Sequence, residues 1–163
     1  MTTNVRGAVT NGPFVRIARE GDRALIAELG RDLFSAYGSY DRYLLEWSSA
    51  PGVTTVVSEI DGNGVGLGMM RFEADSKRPT SELVAIAVSA SSQRKGAGTS
   101  LLLELFDLAR RAGAEEMRLM VADGNARAER LFARHGFRKT GDAGVYPAGQ
   151  KALVMRKELN PWS

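Results

Sequence analysis

Gln93-Arg94-Lys95-Gly96-Ala97-Gly98 is the stretch on which the fold of this chain turns. An apolar run, Leu83 to Val88, leads into it, and an amphipathic pattern beginning near Thr99 leads out. A strand, a basic glycine-rich turn and a helix, in that order, build an anion-binding device. The first N–H groups of a helix have no partner inside the helix, and the aligned peptide dipoles place partial positive charge there. Gly96 and Gly98 keep side chains clear, so the backbone can approach an oxygen closely. Arg94 and Lys95 add full charges beside it. A diphosphate suits such a turn.

Upstream, Phe14 to Arg19 alternates apolar and polar residues, which predicts a strand. Gly21-Asp22 breaks it, and Asp22 is predicted to cap a helix in which Leu25, Ile26, Leu29 and Leu33 recur at helical spacing. Tyr37-Gly38-Ser39 closes that helix. A short second helix carrying Tyr43, Leu44 and Trp47 stops before Pro51. Val53 to Ile60 is β-branched, and Asp61-Gly62-Asn63-Gly64 is a hairpin turn, so Val65 to Ala74 should return antiparallel. That turn explains Gly62 and Gly64, while Gly66 and Gly68 have no reason visible in the sequence. Ser76 to Thr80 reads as a charged loop and Glu82 to Val88 as the next strand.

Downstream, Leu101, Leu102, Leu105, Leu108 and Ala109 share a helix face that Gly113 ends. Met117 to Val121 is a buried strand with Arg118 its one charge. Asp123-Gly124-Asn125 turns into a helix running to His135 and stopped by Gly136. Phe137 to Lys139 and Ala152 to Met155 form a closing strand pair around a loop with Tyr146 and Pro147. The order β-α-α-β-β-β-α-β-α-β-β is that of a mixed α/β domain.

Composition narrows the function. The chain has 163 residues, 44% apolar and 25% charged, enough for one domain with a sizeable core. No run approaches the roughly 20 apolar residues of a membrane span. Met1 to Pro13 lacks an apolar signal-peptide core and reads as a flexible tail, leaving residues 14–163 as the domain. With no cysteine and one histidine, disulfides, thiolate metal sites, a cysteinyl intermediate and a multi-histidine metal site are excluded. The lack of cysteine fits a cytoplasmic protein. A net charge of +3 suits an anionic ligand but is too mild to establish nucleic-acid binding.

Three classes of glycine-rich turn compete. A nucleotide P-loop needs Lys and then Ser/Thr directly after its final glycine, but Thr99 and Ser100 follow Gly98. A dinucleotide fingerprint needs a third glycine where Leu101 stands. The third class fits. Gln93-x-x-Gly96-x-Gly98 after a strand, together with Asn125, Ala128, Leu131-Phe132 and Gly136-Phe137, resembles the acyl-CoA site of the GNAT N-acetyltransferase superfamily. The likeness runs along nearly the whole chain. It implies a mixed, mostly antiparallel central sheet of about seven strands with flanking helices, and transfer of an acetyl group from acetyl-CoA to an amine without a metal.

The resemblance also implies roles. Amides from Gln93 to Gly98, running into Thr99, would hold the coenzyme pyrophosphate, with Arg94 and Lys95 near its phosphates and Ala97 within the turn. Main-chain groups of Ile86, Ala87 and Val88 would pair with the pantetheine arm, and the Val88 N–H would polarise the thioester. Asn125 would hydrogen-bond the cofactor near its thioester end, a role compatible with capping the helix. Phe132 would stand beside the cofactor where many relatives place a proton-donating tyrosine, but it shares an apolar face with Ala128 and Leu131 and reads as core packing. A phenyl ring has no proton to give, so the alternatives are water, the modest basicity of the thiolate, or a tyrosine from elsewhere, Tyr146, Tyr40 or Tyr43.

A lysine-like amine has a pKa of about 10.4, so a base or proton wire is needed at neutral pH. Glu82 is the candidate base, placed as is the catalytic glutamate of the histone-acetylating branch. Its alternative is an exposed charge at a strand end. The glutamate used by the ribosomal-protein branch is replaced by Met120. Asp41, Arg42, Glu46 and Trp47 either shape acceptor choice or form an ordinary amphipathic helix. Direct transfer within a ternary complex is expected. A non-catalytic acyl-CoA sensor and an RNA-directed enzyme are the rivals, and pairing with a second copy stays open.

Overall fold

The computed structural model describes residues 12–73 and 77–159. The tail expected at residues 1–13 lies outside the described residues up to residue 11, as do Ala74, Ser76 and the chain from 160 onward. The elements are β1 Phe14–Ile17, α1 Arg23–Phe34, α2 Tyr40–Ser48, β2 Val53–Ile60, β3 Asn63–Glu73, β4 Thr80–Val88, α3 Ala97–Arg111, β5 Glu116–Ala122, α4 Ala126–Arg134, β6 Arg138–Val145 and β7 Lys151–Glu158.

One seven-stranded sheet runs in the order β1-β2-β3-β4-β5-β7-β6. Only β4 and β5 are parallel, and every other neighbour is antiparallel. The mixed, mostly antiparallel sheet expected from the sequence is the sheet observed. Asp61 and Gly62 take φ of 51° and 80°, the left-handed pair that matches strand twist in a tight hairpin.

Each face of the sheet buries a separate cluster. On one, Leu101, Leu102, Leu105, Phe106 and Ala109 of α3 and Phe132 of α4 pack on Val56, Leu83, Met117 and Leu119. On the other, Ile26 and Leu29 of α1 and Leu44 of α2 pack on Leu67, Met69, Ala85 and Ala87. Gly66 and Gly68 now have their reason. A Cβ on Gly68 would stand 2.8 Å from Leu105 Cδ1, and one on Gly66 would stand 2.9 Å from the Ala87 carbonyl oxygen. Bare backbone lets α3 settle on β3 and lets β3 lie close against β4.

Two expectations change. Asp22 does not cap α1. Its carboxylate instead accepts from Arg16 Nη1 and Nη2, both at 2.8 Å, and from the Arg19 N–H at 2.6 Å. A planar guanidinium gripping both oxygens outbids a single helix amide. The final hairpin is also longer than Phe137 to Lys139 and Ala152 to Met155. β6 is exposed at all of its positions, so it carries no hydrophobic alternation to read.

The feature that makes room for function is in β4. Met70 pairs with Leu83 and Met69 with Ala85, so Val84 is one residue too many, a β-bulge. Bulges bend a strand and increase its twist. Pairing of β4 with β5 covers only Thr80 to Leu83 against Glu116 to Leu119, ending at the residue before the bulge. Beyond it the two strands part.

Candidate active site

Past the bulge, β4 keeps β3 on one side and an open edge on the other. The Ser89 N–H donates to the Val65 carbonyl at 2.8 Å. Backbone groups alternate along a strand, so those of Ala87 also face β3, while Ile86 and Val88 face the gap. The 2.9 Å approach of a Gly66 Cβ to the Ala87 oxygen agrees with this. Of the three residues expected to pair with the pantetheine arm, Ile86 and Val88 therefore own the open edge, and Ala87 gives its groups to the sheet. The Val88 carbonyl is already engaged, accepting from Gln93 Nε2 at 3.0 Å. Gln93 thus ties the turn to the strand, and among the described residues the Val88 N–H and both Ile86 groups have no backbone partner.

The turn itself coils through two left-handed residues, Arg94 at φ 65° and Gly96 at φ 83°. It enters α3 at Ala97, slightly before the expected start. Among the described residues, no amide from Gln93 to Thr99 donates to another backbone group, and no side chain caps the helix. Ala97 sends its methyl into the core and offers only main chain. A Cβ on Gly96 would meet nothing within 4 Å, and one on Gly98 would meet only ordinary contacts at 3.8 and 4.0 Å. Internal packing therefore demands neither glycine. Gly96 is needed for its φ, and Gly98 leaves room for a methyl at the first turn of α3.

The gap leads into a cavity of about 370 Å³. Ile86 of β4, Met120 to Ala122 of β5, and Asn125, Ala128 and Phe132 around α4 line the end nearer the turn. Phe34, Tyr37, Tyr40 and Trp47 wall the far end, with Tyr146 from the β6–β7 loop and with Arg71 and Glu82 from the sheet. Phe132 is buried edge-on against Phe137 at 5.6 Å, a packing role. Asn125 caps α4, its Oδ1 accepting from the Ala128 N–H at 3.3 Å, while its Nδ2 donates to Tyr37 Oη at 3.5 Å.

Tyr146 packs against Tyr37 and Tyr40, with ring centroids 5.2 and 6.5 Å away. Burial, reinforced by those two neighbouring phenols, pushes its hydroxyl up to about 12, and burial raises Tyr40 as well. Both phenols keep their protons at any physiological pH. Tyr43 stacks on Trp47 at 5.9 Å and does not reach the cavity wall, nor do Asp41, Arg42 and Glu46.

Glu82 reaches the cavity, but not as a lone carboxylate. Its Oε2 accepts from Arg71 Nη2 at 2.9 Å and Arg118 Nη2 at 3.1 Å. Those arginines stand directly opposite it on β3 and β5. Arg71, Tyr37 and Phe34 are cavity residues that the sequence reading missed. Arg71 had a signal: it follows Leu67 and Met69 at period two, so it is the charge that ends a buried face. His135 is remote, its Nδ1 2.8 Å from the Leu131 carbonyl oxygen. Among the described residues no group of acidic, histidine or cysteine side chains could hold a metal, and no helix is long and apolar enough to cross a membrane.

A sheet that opens between its two parallel strands, with a turn of free amides at the head of the opening, defines an acyltransferase-type fold. The chain belongs to the acetyltransferase (GNAT) family, whose model matches residues 23–137. It is 32% identical over 145 residues to the L-2,4-diaminobutyric acid acetyltransferase of Nocardia farcinica, covering 82% of this chain and 72% of that one. It is 29% identical over 154 residues to the IAA acetyltransferase of Azospirillum brasilense, covering 90% and 99%. Among solved structures it resembles that of yncA from Salmonella typhimurium with its cofactor acetyl-CoA. That match has TM-score 0.76 and 27% identity over 93% of this chain and 96% of that one.

Proposed function

We propose that this protein transfers an acetyl group from acetyl-CoA to a primary amine by direct attack in a ternary complex. The observation that carries the proposal is continuity: the free amides of residues 93–99 lead into the open Ile86–Val88 edge, and that edge leads into the cavity. A long carrier with a diphosphate at one end and a thioester at the other matches this course. Residues 14–163 are taken as one such domain.

Bound there, the coenzyme supplies an activated acetyl group. The amides from Gln93 to Thr99, with Arg94 and Lys95 beside them, hold the diphosphate. Val88, nearest the turn, pairs with the arm. The reacting end lies deeper, so the Ile86 N–H, which lines the cavity, takes the carbonyl-polarising role in place of Val88. Asn125 Nδ2 and the Tyr37 hydroxyl orient the thioester end. Glu82 is four residues from Ile86, about 13 Å along a strand, so it draws the amine's proton through water by way of Oε1.

Tyr146 faces the departing sulfur. Its hydroxyl stands near 12, above the roughly 8.5 of an ordinary thiol. It therefore steadies the thiolate by hydrogen bonding, and water completes the protonation. Free-thiol release from acetyl-CoA across a panel of amines tests the proposal, and turnover with at least one amine above the hydrolysis background is the expected result. Phe132 in place of a helix phenol favours the second reading, an acyl-CoA sensor. Tight acetyl-CoA binding with no acceptor turnover would establish the sensor instead.

A further inference from the structure

Arg71 has hydrogen-bond donors to spare, and it lines the cavity. Its Nη2 serves Glu82 at 2.9 Å and Glu73 at 3.2 Å. Its Nε and Nη1 donate to no group among the described residues, although a guanidinium carries five N–H donors in one plane. That plane is the shape that grips a carboxylate. Glu82 stands beside it with Oε2 engaged by two arginines and Oε1 without a partner among the described residues. The sheet side of the cavity thus presents one positive and one negative group side by side. The opposite wall, Phe34, Tyr40 and Trp47, is uncharged. Half of the Arg71 side chain is exposed, so its free edge lies at the cavity mouth, where water serves it until an anionic group of the acceptor takes that water's place.

We propose that the acceptor bears a carboxylate on the carbon that carries its amine, as an α-amino acid does, and that Arg71 binds that carboxylate. The inference rests on the acetyltransferase reading above. Arg71 takes the carboxylate, and Glu82 Oε1 reaches the amine, one carbon away, through the water that relays its proton. The amine is then turned toward the Ile86 edge. The side chain of the acceptor lies against the aromatic wall, which suits an apolar body.

Matched acceptor pairs differing only in the carboxylate test this: L-phenylalanine against phenethylamine, and L-leucine against isoamylamine. Thiol release is measured at saturating acetyl-CoA. The expected result is at least about a tenfold higher kcat/KM for each amino acid, the scale of one charge-assisted contact. Arg71→Gln should raise KM for the amino acids about 10- to 100-fold and erase most of the preference, while the lost contact to Glu82 lowers kcat by the same factor for amino acids and plain amines. Arg71→Lys, which keeps the charge and the link to Glu82, should restore part of it. Titration calorimetry of L-phenylalanine into the coenzyme A complex should show the same loss of affinity. Equal kcat/KM within the wild-type pairs would overturn the assignment and leave the acetyltransferase reading standing. Failure of every amine to release thiol would remove that reading and this one with it.

Discussion

Alanine at position 98 should move stability and coenzyme affinity in opposite directions. Gly98 lies in the first turn of α3, and a Cβ there would touch only Leu131 Cδ2 at 3.8 Å and Val88 Cγ2 at 4.0 Å. The folded chain accepts the methyl without strain. The unfolded chain loses freedom, which stabilises the protein by about 0.4–1 kcal/mol. For a domain of this size that is a rise in Tm of about 1–4 °C. With a diphosphate seated on the first turn of α3, the same methyl adds bulk beside the amides that would hold it. Loss of one hydrogen bond to a charged oxygen costs about 1.5–3 kcal/mol, or about 10- to 100-fold in Kd. Gly96→Ala is the companion. Nothing obstructs its methyl, yet φ of 83° forces a left-handed residue, a penalty of roughly 1–2 kcal/mol and a fall in Tm of about 2–8 °C. Thermal melts followed by circular dichroism and acetyl-CoA titration calorimetry read both effects. A Gly98→Ala protein that melts higher and binds acetyl-CoA as the wild type does would refute the phosphate cradle.

Tyr146→Phe should slow transfer about a hundredfold, and by the same factor across pH 6–10, because a hydroxyl held near 12 keeps its proton throughout. A descending limb at pH 8–10 that vanishes in the variant would contradict that. Asp22→Asn should destabilise the protein by about 1.5–3 kcal/mol, since the nearly buried Arg16 guanidinium loses its two-oxygen partner and keeps only Glu59 at 2.7 Å. Arg16 holds the Asp22 carboxyl below its ordinary range, so this stabilisation is full above about pH 4 and fades as pH falls toward the folded value. Melts at pH 7 and pH 3 should therefore show the wild-type advantage shrink in acid, and an unchanged difference would count against it. Gly66→Ala should cost about 1–3 kcal/mol and weaken acetyl-CoA binding, because its methyl presses on the Ala87 carbonyl at 2.9 Å. Unaltered melting would show that the strands can give way.

What the sequence disclosed was local. The Asp61-Gly62 hairpin, the apolar stripe of α3 and the turn at Gln93–Gly98 each depend on residues close along the chain, where spacing and turn chemistry carry the signal. What it concealed depends on partners brought together from afar. Gly66 and Gly68 are explained only by Ala87 and Leu105 lying across from them. Glu82 reads as a bare strand-end charge until Arg71 and Arg118 arrive on either side. Tyr37 looks like the end of a helix until the β6–β7 loop lays Tyr146 against it. Ala87 and Val88 are equivalent in the sequence, and only the direction of their backbone groups separates them.

Val84 carries a consequence beyond its own side chain. Delete it, and the flanking pairs already match: Leu83 would still meet Met70, Ala85 would still meet Met69, and every core side chain would keep its side. The shortened strand would lie straighter, free to zip onto β5 along its full length. Such a protein would keep its strand pairing and have nowhere to lay its carrier. Here catalytic capacity is stored as slack, a single surplus link that keeps an otherwise seamless fabric from closing.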